Sequence, residues 1–169
     1  MTTPASNRQP RIVQHGYDET SRLFSMALSR YFQQLCRQYR HLADGDIDLA
    51  IVAGAASLAA VEGAWSDPEF RREFANLDNI VGDRQRGCNA LSIAEATGLP
   101  RETVRRKMKR LVEAGFLVRR GTGDYIMQPG LVQTAPYRQM LSEAMGHTLR
   151  FVNDCLEQGV FAVDAPPRR

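Results

Sequence analysis

Only three cysteines occur in 169 residues. Cys36, Cys88 and Cys155 are too few and too scattered for a disulfide framework or a zinc finger. They are read as buried, inert thiols rather than a redox switch. The three histidines, His15, His41 and His147, have no metal-ligand spacing. Asp44, Asp46 and Asp48 alternate, but no late glutamate stands where a calcium loop needs one, so they read as turn and cap residues. The sequence also lacks a phosphate-binding glycine loop, a nucleophile elbow and a zinc-protease motif. No catalytic residue, cofactor or metal is therefore expected, and the chain is not read as an enzyme. Long apolar runs are missing as well. The most apolar stretch, 49–61, is too short to cross a membrane, and the first fourteen residues hold nothing like a signal peptide. The expectation is a cytoplasmic protein with no membrane partner.

What the chain does have is positive charge in one place. Its net charge is only +3. Between 101 and 120, however, stand Arg101, Arg105, Arg106, Lys107, Lys109, Arg110, Arg119 and Arg120, opposed by Glu102 and Glu113 alone. A single cationic segment fits a polyanionic partner better than the overall sum suggests.

Helical periodicity organises the rest. Residues 1–16 read as a flexible tail, with a basic arm through Arg8 and Arg11 as the functional alternative. Residues 17–86 read as an N-terminal helical scaffold. In it a first helix starts near Thr20 or Ser21, with Leu23, Phe24, Ala27, Leu28, Tyr31, Phe32, Leu35 and Tyr39 at amphipathic spacing. A second helix, capped by Asp46, runs from Ile47 to about Glu62 and is apolar nearly all round. Asp67 and Pro68 then open a short helix, followed by a loop. After 130, a long helix from about Pro136 to Glu157 carries a broad apolar band, and 161–169 reads as a second tail.

The segment 87–130 carries the chemistry. Asn89 caps a short helix. Gly98 supplies the positive φ of a turn between crossed helices. Pro100 and Arg101 open the next helix, about 101–114, which stacks Val104, Met108, Leu111 and Val112 on one side and cations on the other. Gly115 ends it. Two short strands follow, joined by the turn Gly121, Thr122, Gly123 and Asp124. A cationic helix of this kind suits the major groove, where arginine pairs with guanine O6 and N7. Arg101, Thr103, Arg105 and Arg106 are placed on bases or nearby phosphates, and Lys109 and Arg110 on phosphates. Arg119, Arg120 and Thr122 belong to the hairpin, against the backbone or minor groove.

Residues 93–99, Thr103 with Val104, and 111–117 resemble the winged helix-turn-helix of bacterial regulators in the MarR, IclR and GntR groups. Because the module lies between N-terminal helices and a C-terminal helix, the order is most similar to MarR-type proteins. The implied fold is mainly α with a small β-hairpin wing, residues 119–125, flanked by dimerisation helices at 17–86 and 131–160. The implied function is a homodimeric transcription regulator, a repressor by preference, on double-stranded DNA. A small-molecule effector seated between scaffold and winged module is a further implied partner. The apolar bands of the first and last helices point to a dimer independently, with an intramolecular core as the other reading. The rival function is a winged-helix adaptor that binds protein and not DNA, but such a module has no need of the cationic face.

Overall fold

The computed structural model describes residues 10–13, 17–121 and 123–163. The fold is mainly helical with a small antiparallel hairpin, as expected. Seven α-helices are described: α1 (Tyr17–Leu42), α2 (Ile47–Val61), α3 (Gly63–Ser66), α4 (Pro68–Ala75), α5 (Ala90–Thr97), α6 (Arg101–Glu113) and α7 (Ala135–Glu157). Four strands accompany them: β1 (Pro10–Ile12), β2 (Leu117–Arg119), β3 (Tyr125–Met127) and β4 (Phe161–Val163). No helix among the described residues is long and apolar enough to cross a membrane. The chain divides into two compact units, 38–141 and the two terminal stretches together.

In the larger unit, local signals set the helix ends. Asp46 accepts the Leu49 N–H at 3.1 Å and caps α2. Asp67 caps α4 through the Glu69 and Phe70 amides, with Pro68 in its first turn. Asn89 and Ser92 form a reciprocal capping box at the start of α5. Gly98 ends α5 at φ 70° and Gly115 follows α6 at the same φ, a conformation open to glycine without steric penalty. The short helix that Asp67 and Pro68 open stops at Ala75, because the chain turns extended at Asn76.

The core of this unit joins Val52 and Ala56 of α2, Cys88, Ile93 of α5, Val104, Met108 and Leu111 of α6, and Leu117 of β2. Val52, Ile93, Val104 and Met108 are almost fully buried. Each such side chain contributes about 1.5–3 kcal/mol of hydrophobic stabilisation. Val112, expected on the inner face of its helix, is instead exposed, as is Leu91 of α5. Three helices, α2, α5 and α6, thus share one core. A boundary at residue 87 runs through that core and not between two cores, since α2 packs on both helices of the turn. The alanines of α2 explain this: small side chains at Ala53, Ala55, Ala56 and Ala59 let α5 and α6 approach.

The hairpin pairs Leu117 with Met127 and Arg119 with Tyr125. Cys88 adds a further bridge that sequence alone did not suggest, exchanging both backbone hydrogen bonds with Tyr125 at 2.8 Å. Gly87 lies so close to the hairpin that a Cβ there would sit 2.6 Å from the Asp124 Cβ.

In the terminal unit, β1 pairs antiparallel with β4, Pro10 opposite Val163 and Ile12 opposite Phe161. Parts of both segments read as tails are therefore strands. Residues 1–9, 14–16 and 164–169 lie outside the described residues, and with them Arg8. Beside the strands, Phe24, Tyr31, Phe151 and Phe161 form an aromatic cluster, with Tyr31 stacked on Phe151 at 5.0 Å. Phe24, Phe151 and Phe161 cover buried Ala27, Cys155 and Val160. Arg30 pairs with Asp154 at 3.2 Å.

Candidate nucleic-acid interface

At 3.6 residues per turn, Val104, Met108 and Leu111 fix the inner line of α6 in the core. Arg106 and Lys109 then fall on the far side, with Glu102 and Glu113 beside them. Arg101, Arg105, Arg106, Lys109 and Arg110 are all exposed, and Thr103 is half-buried. The helix that the sequence singles out is therefore presented with its cations outward.

Those cations are not equivalent. The side chains of Arg101 and Arg106 make no hydrogen bond or ion pair to any other described residue. Arg105 is held by Glu102 in a two-pronged pair, Nε to Oε2 at 2.9 Å and Nη2 to Oε1 at 2.7 Å. That bond, with the charges of Arg105 and Arg106, holds the Glu102 carboxyl below its usual range. Lys109 stands 3.8 Å from Glu113 one turn on, a loose contact in water.

Arg110 was expected on a phosphate. It instead turns along the helix flank to Asp46, the residue that caps α2. Lys107 reaches the same carboxylate oxygen from one turn back. The Lys107 hydrogen bond is the chief reason that the Asp46 carboxyl lies below its ordinary range, and burial opposes it. One carboxylate thus caps a core helix and gathers two of the eight cations. Sequence reasoning missed this role because the partners lie 61 and 64 residues apart; the alternating aspartates gave only the cap.

The wing shows the same division. Arg119 is exposed at the end of β2 and makes no hydrogen bond or ion pair to a described residue. Arg120, also expected to face DNA, turns inward to the Gln85 carbonyl, because its backbone is tied into the wing turn through Asp124. Gln85 is buried, and its side-chain Oε1 accepts the Met127 N–H at 2.9 Å. Arg120 is accordingly a strut of the hairpin. Thr122 lies outside the described residues. The loop arginines before α5 are engaged too: Arg84 bridges Asp67 and Glu73 over the Phe70 ring, and Arg86 pairs with Glu62.

The cations left outward and uncommitted are thus Arg101 and Arg106 on the helix and Arg119 on the wing, with Arg105 and Lys109 in exposed pairs that water or an anion can exchange. The three cysteines are unbonded thiols, and burial raises the pKa of Cys88 and Cys155, which disfavours the reactive thiolate.

A protein-family model described as a Firmicute plasmid replication protein (RepL) matches residues 70–142. The matched span holds most of α4, all of α5 and α6, the wing and the start of α7. No curated protein and no solved structure matches the chain.

Proposed function

We propose that the protein binds double-stranded DNA with α6 in the major groove and the wing on the adjacent backbone or minor groove. The observation that carries this reading is the outward face of α6, where the side chains of Arg101 and Arg106 are exposed with no hydrogen bond or ion pair to a described residue, on a helix whose other face is locked into the core. Charge left without a protein partner on a rigid element suits base-edge and phosphate contacts. The similarity to a plasmid replication family supports DNA as the target.

The protein acts as a homodimer in this account. Leu23, Met26, Leu28 and Phe32 of α1 and Met145 and Leu149 of α7 are large apolar side chains left exposed in the terminal unit, more than a monomer's solubility favours. Two recognition helices would then meet half-sites about 34–36 Å apart on a near-palindromic site.

Two uses of such binding have support. The order of elements resembles dimeric transcription regulators, with repression as the preferred outcome. The family similarity favours binding at a plasmid replication origin. Recovery of bound genomic and plasmid fragments separates them: sites at promoters support the regulator, and sites within a replication origin support the second use. Arg106→Ala tests the interface itself and is expected to weaken specific binding by about 1–3 kcal/mol. An unchanged affinity removes Arg106 from base reading.

A further inference from the structure

The outward face of α6 carries one group that opposes its proposed partner. Glu102 lies two residues before buried Val104. At 3.6 residues per turn it falls almost opposite the buried line. Its carboxylate therefore stands on the face that a polyanion must approach, with the side chain 65% exposed. An acid in the first turn of a helix is favoured by the backbone dipole. A position on the flank of the same turn gains as much without facing phosphates.

The shape of its pair sets Glu102 apart. Arg105 donates Nε–H to Oε2 at 2.9 Å and Nη2–H to Oε1 at 2.7 Å. Both carboxylate oxygens and one side of the guanidinium are thereby engaged. The other acid of this face, Glu113, has only a contact of 3.8 Å with Lys109. A guanidinium holds five N–H donors in a fixed plane. With two of them on Glu102, three remain, on Nη1 and Nη2, and none makes a hydrogen bond to a described residue. One N–H of each nitrogen points in parallel from the end of the group, a fork that matches guanine O6 and N7.

A guanidinium already held loses less freedom on meeting a base than one that swings in water. A groove that excludes water also strengthens the pair, because charges attract more strongly at low dielectric. With both oxygens on Arg105, Glu102 has no fork of its own for cytosine. On the reading of α6 as the helix in the major groove, we propose that Glu102 is a specificity-determining residue. It positions Arg105 so that the end of the guanidinium reads a guanine, and its own charge lowers the affinity of α6 for phosphates at arbitrary sequence.

The test compares the full wild-type chain with Glu102→Ala and Arg105→Lys. Each selects from a random-sequence duplex library and is titrated with one random duplex across salt. Wild type should enrich sites with a fixed G·C pair, and changing that pair to A·T should weaken it about tenfold. Arg105→Lys keeps the charge but not the fork, and should lose the preference at that pair. Glu102→Ala should lose the same preference. It should also bind the random duplex about two- to fivefold more tightly, the worth of one exposed charge pair. Its salt dependence should steepen by about one phosphate contact, as Arg105 is released. A purely structural role for Glu102 lowers the melting temperature and moves neither preference nor salt dependence, and that result overturns the proposal. So does a preference lost in Glu102→Ala but kept in Arg105→Lys, which makes the carboxylate itself the reader. In both cases the DNA-binding reading stands. Binding of no duplex at low salt overturns that reading and this one together.

Discussion

The two compact units differ in the size of the side chains they seal. In 38–141, Val52, Ile93, Val104 and Met108 are closed into one core, while Leu58 and Ile80 stay exposed, and Arg101 and Arg106 point outward. In the terminal unit, the fully buried residues are the small Ala27, Cys155 and Val160, while Phe32, Met26, Met145 and Leu149 stay largely exposed. The first pattern is that of a core of large side chains closed within one chain. The second is that of a surface awaiting a partner. The difference teaches that burial locates what the chain completes alone, and that exposed large side chains locate what it does not.

The sharpest way to break this comparison is inside the first core. Ile93→Ala should destabilise the protein by about 2–5 kcal/mol, because a sealed site cannot collapse around the gap. Denaturant unfolding measures it, and a loss below about 0.5 kcal/mol, the range of surface substitutions, contradicts a finished core. Leu149→Asp sharpens the other half. It should leave helix content intact and shift the chain from dimer to monomer in sedimentation at micromolar concentration. A wild-type chain that is already monomeric removes the partner reading of this surface.

Asp46→Asn gives a mid-sized effect of two kinds. Asparagine caps a helix as well as aspartate, so the change isolates the charge that gathers Lys107 and Arg110. Stability should fall by about 1–3 kcal/mol at neutral pH, the worth of hydrogen bonds to charged groups. The carboxyl is held below its ordinary value in the fold, so its contribution is present above about pH 3.9, the unfolded value, and fades as pH falls through the folded one. Wild type and variant should therefore converge in strong acid. The released Arg110 should also tighten non-specific DNA binding and steepen its salt dependence. Unaltered salt dependence would place Arg110 away from the DNA.

The smallest contrast lies in the wing. Arg119→Ala should lower the slope of affinity against salt by about one phosphate contact and leave stability nearly unchanged. Arg120→Ala should instead lower the melting temperature, since its guanidinium braces the hairpin on Gln85. If the two variants behave alike, the division into outward cation and strut is wrong.

The parts of this fold written locally were legible in the sequence. Asn89, Gly98, Pro100 and Gly115 each act within a few residues, and the turn they frame stands where their spacing places it. The outward cations of α6 followed from the same periodicity that buries Val104 and Met108. The rest depends on contacts far apart along the chain. Asp46 meets Lys107 and Arg110, Cys88 bridges Tyr125, Arg120 finds Gln85, and Pro10–Ile12 pairs with Phe161–Val163. None of these leaves a local pattern. For that reason the sequence places α2 in a scaffold although it completes the core of the turn, and shows nothing of the contacts that Arg110 and Arg120 make within the fold.

The central claim is that the free cationic face of α6 grips double-stranded DNA. The most direct test measures retention of genomic and plasmid fragments by the wild-type chain and by Arg101→Ala/Arg106→Ala, at low and at physiological salt. The account predicts selective retention by the wild type, weakening steeply with salt through counterion release, and loss of that selectivity in the double variant. Retention of no fragment at low salt, or equal retention by both chains, contradicts it.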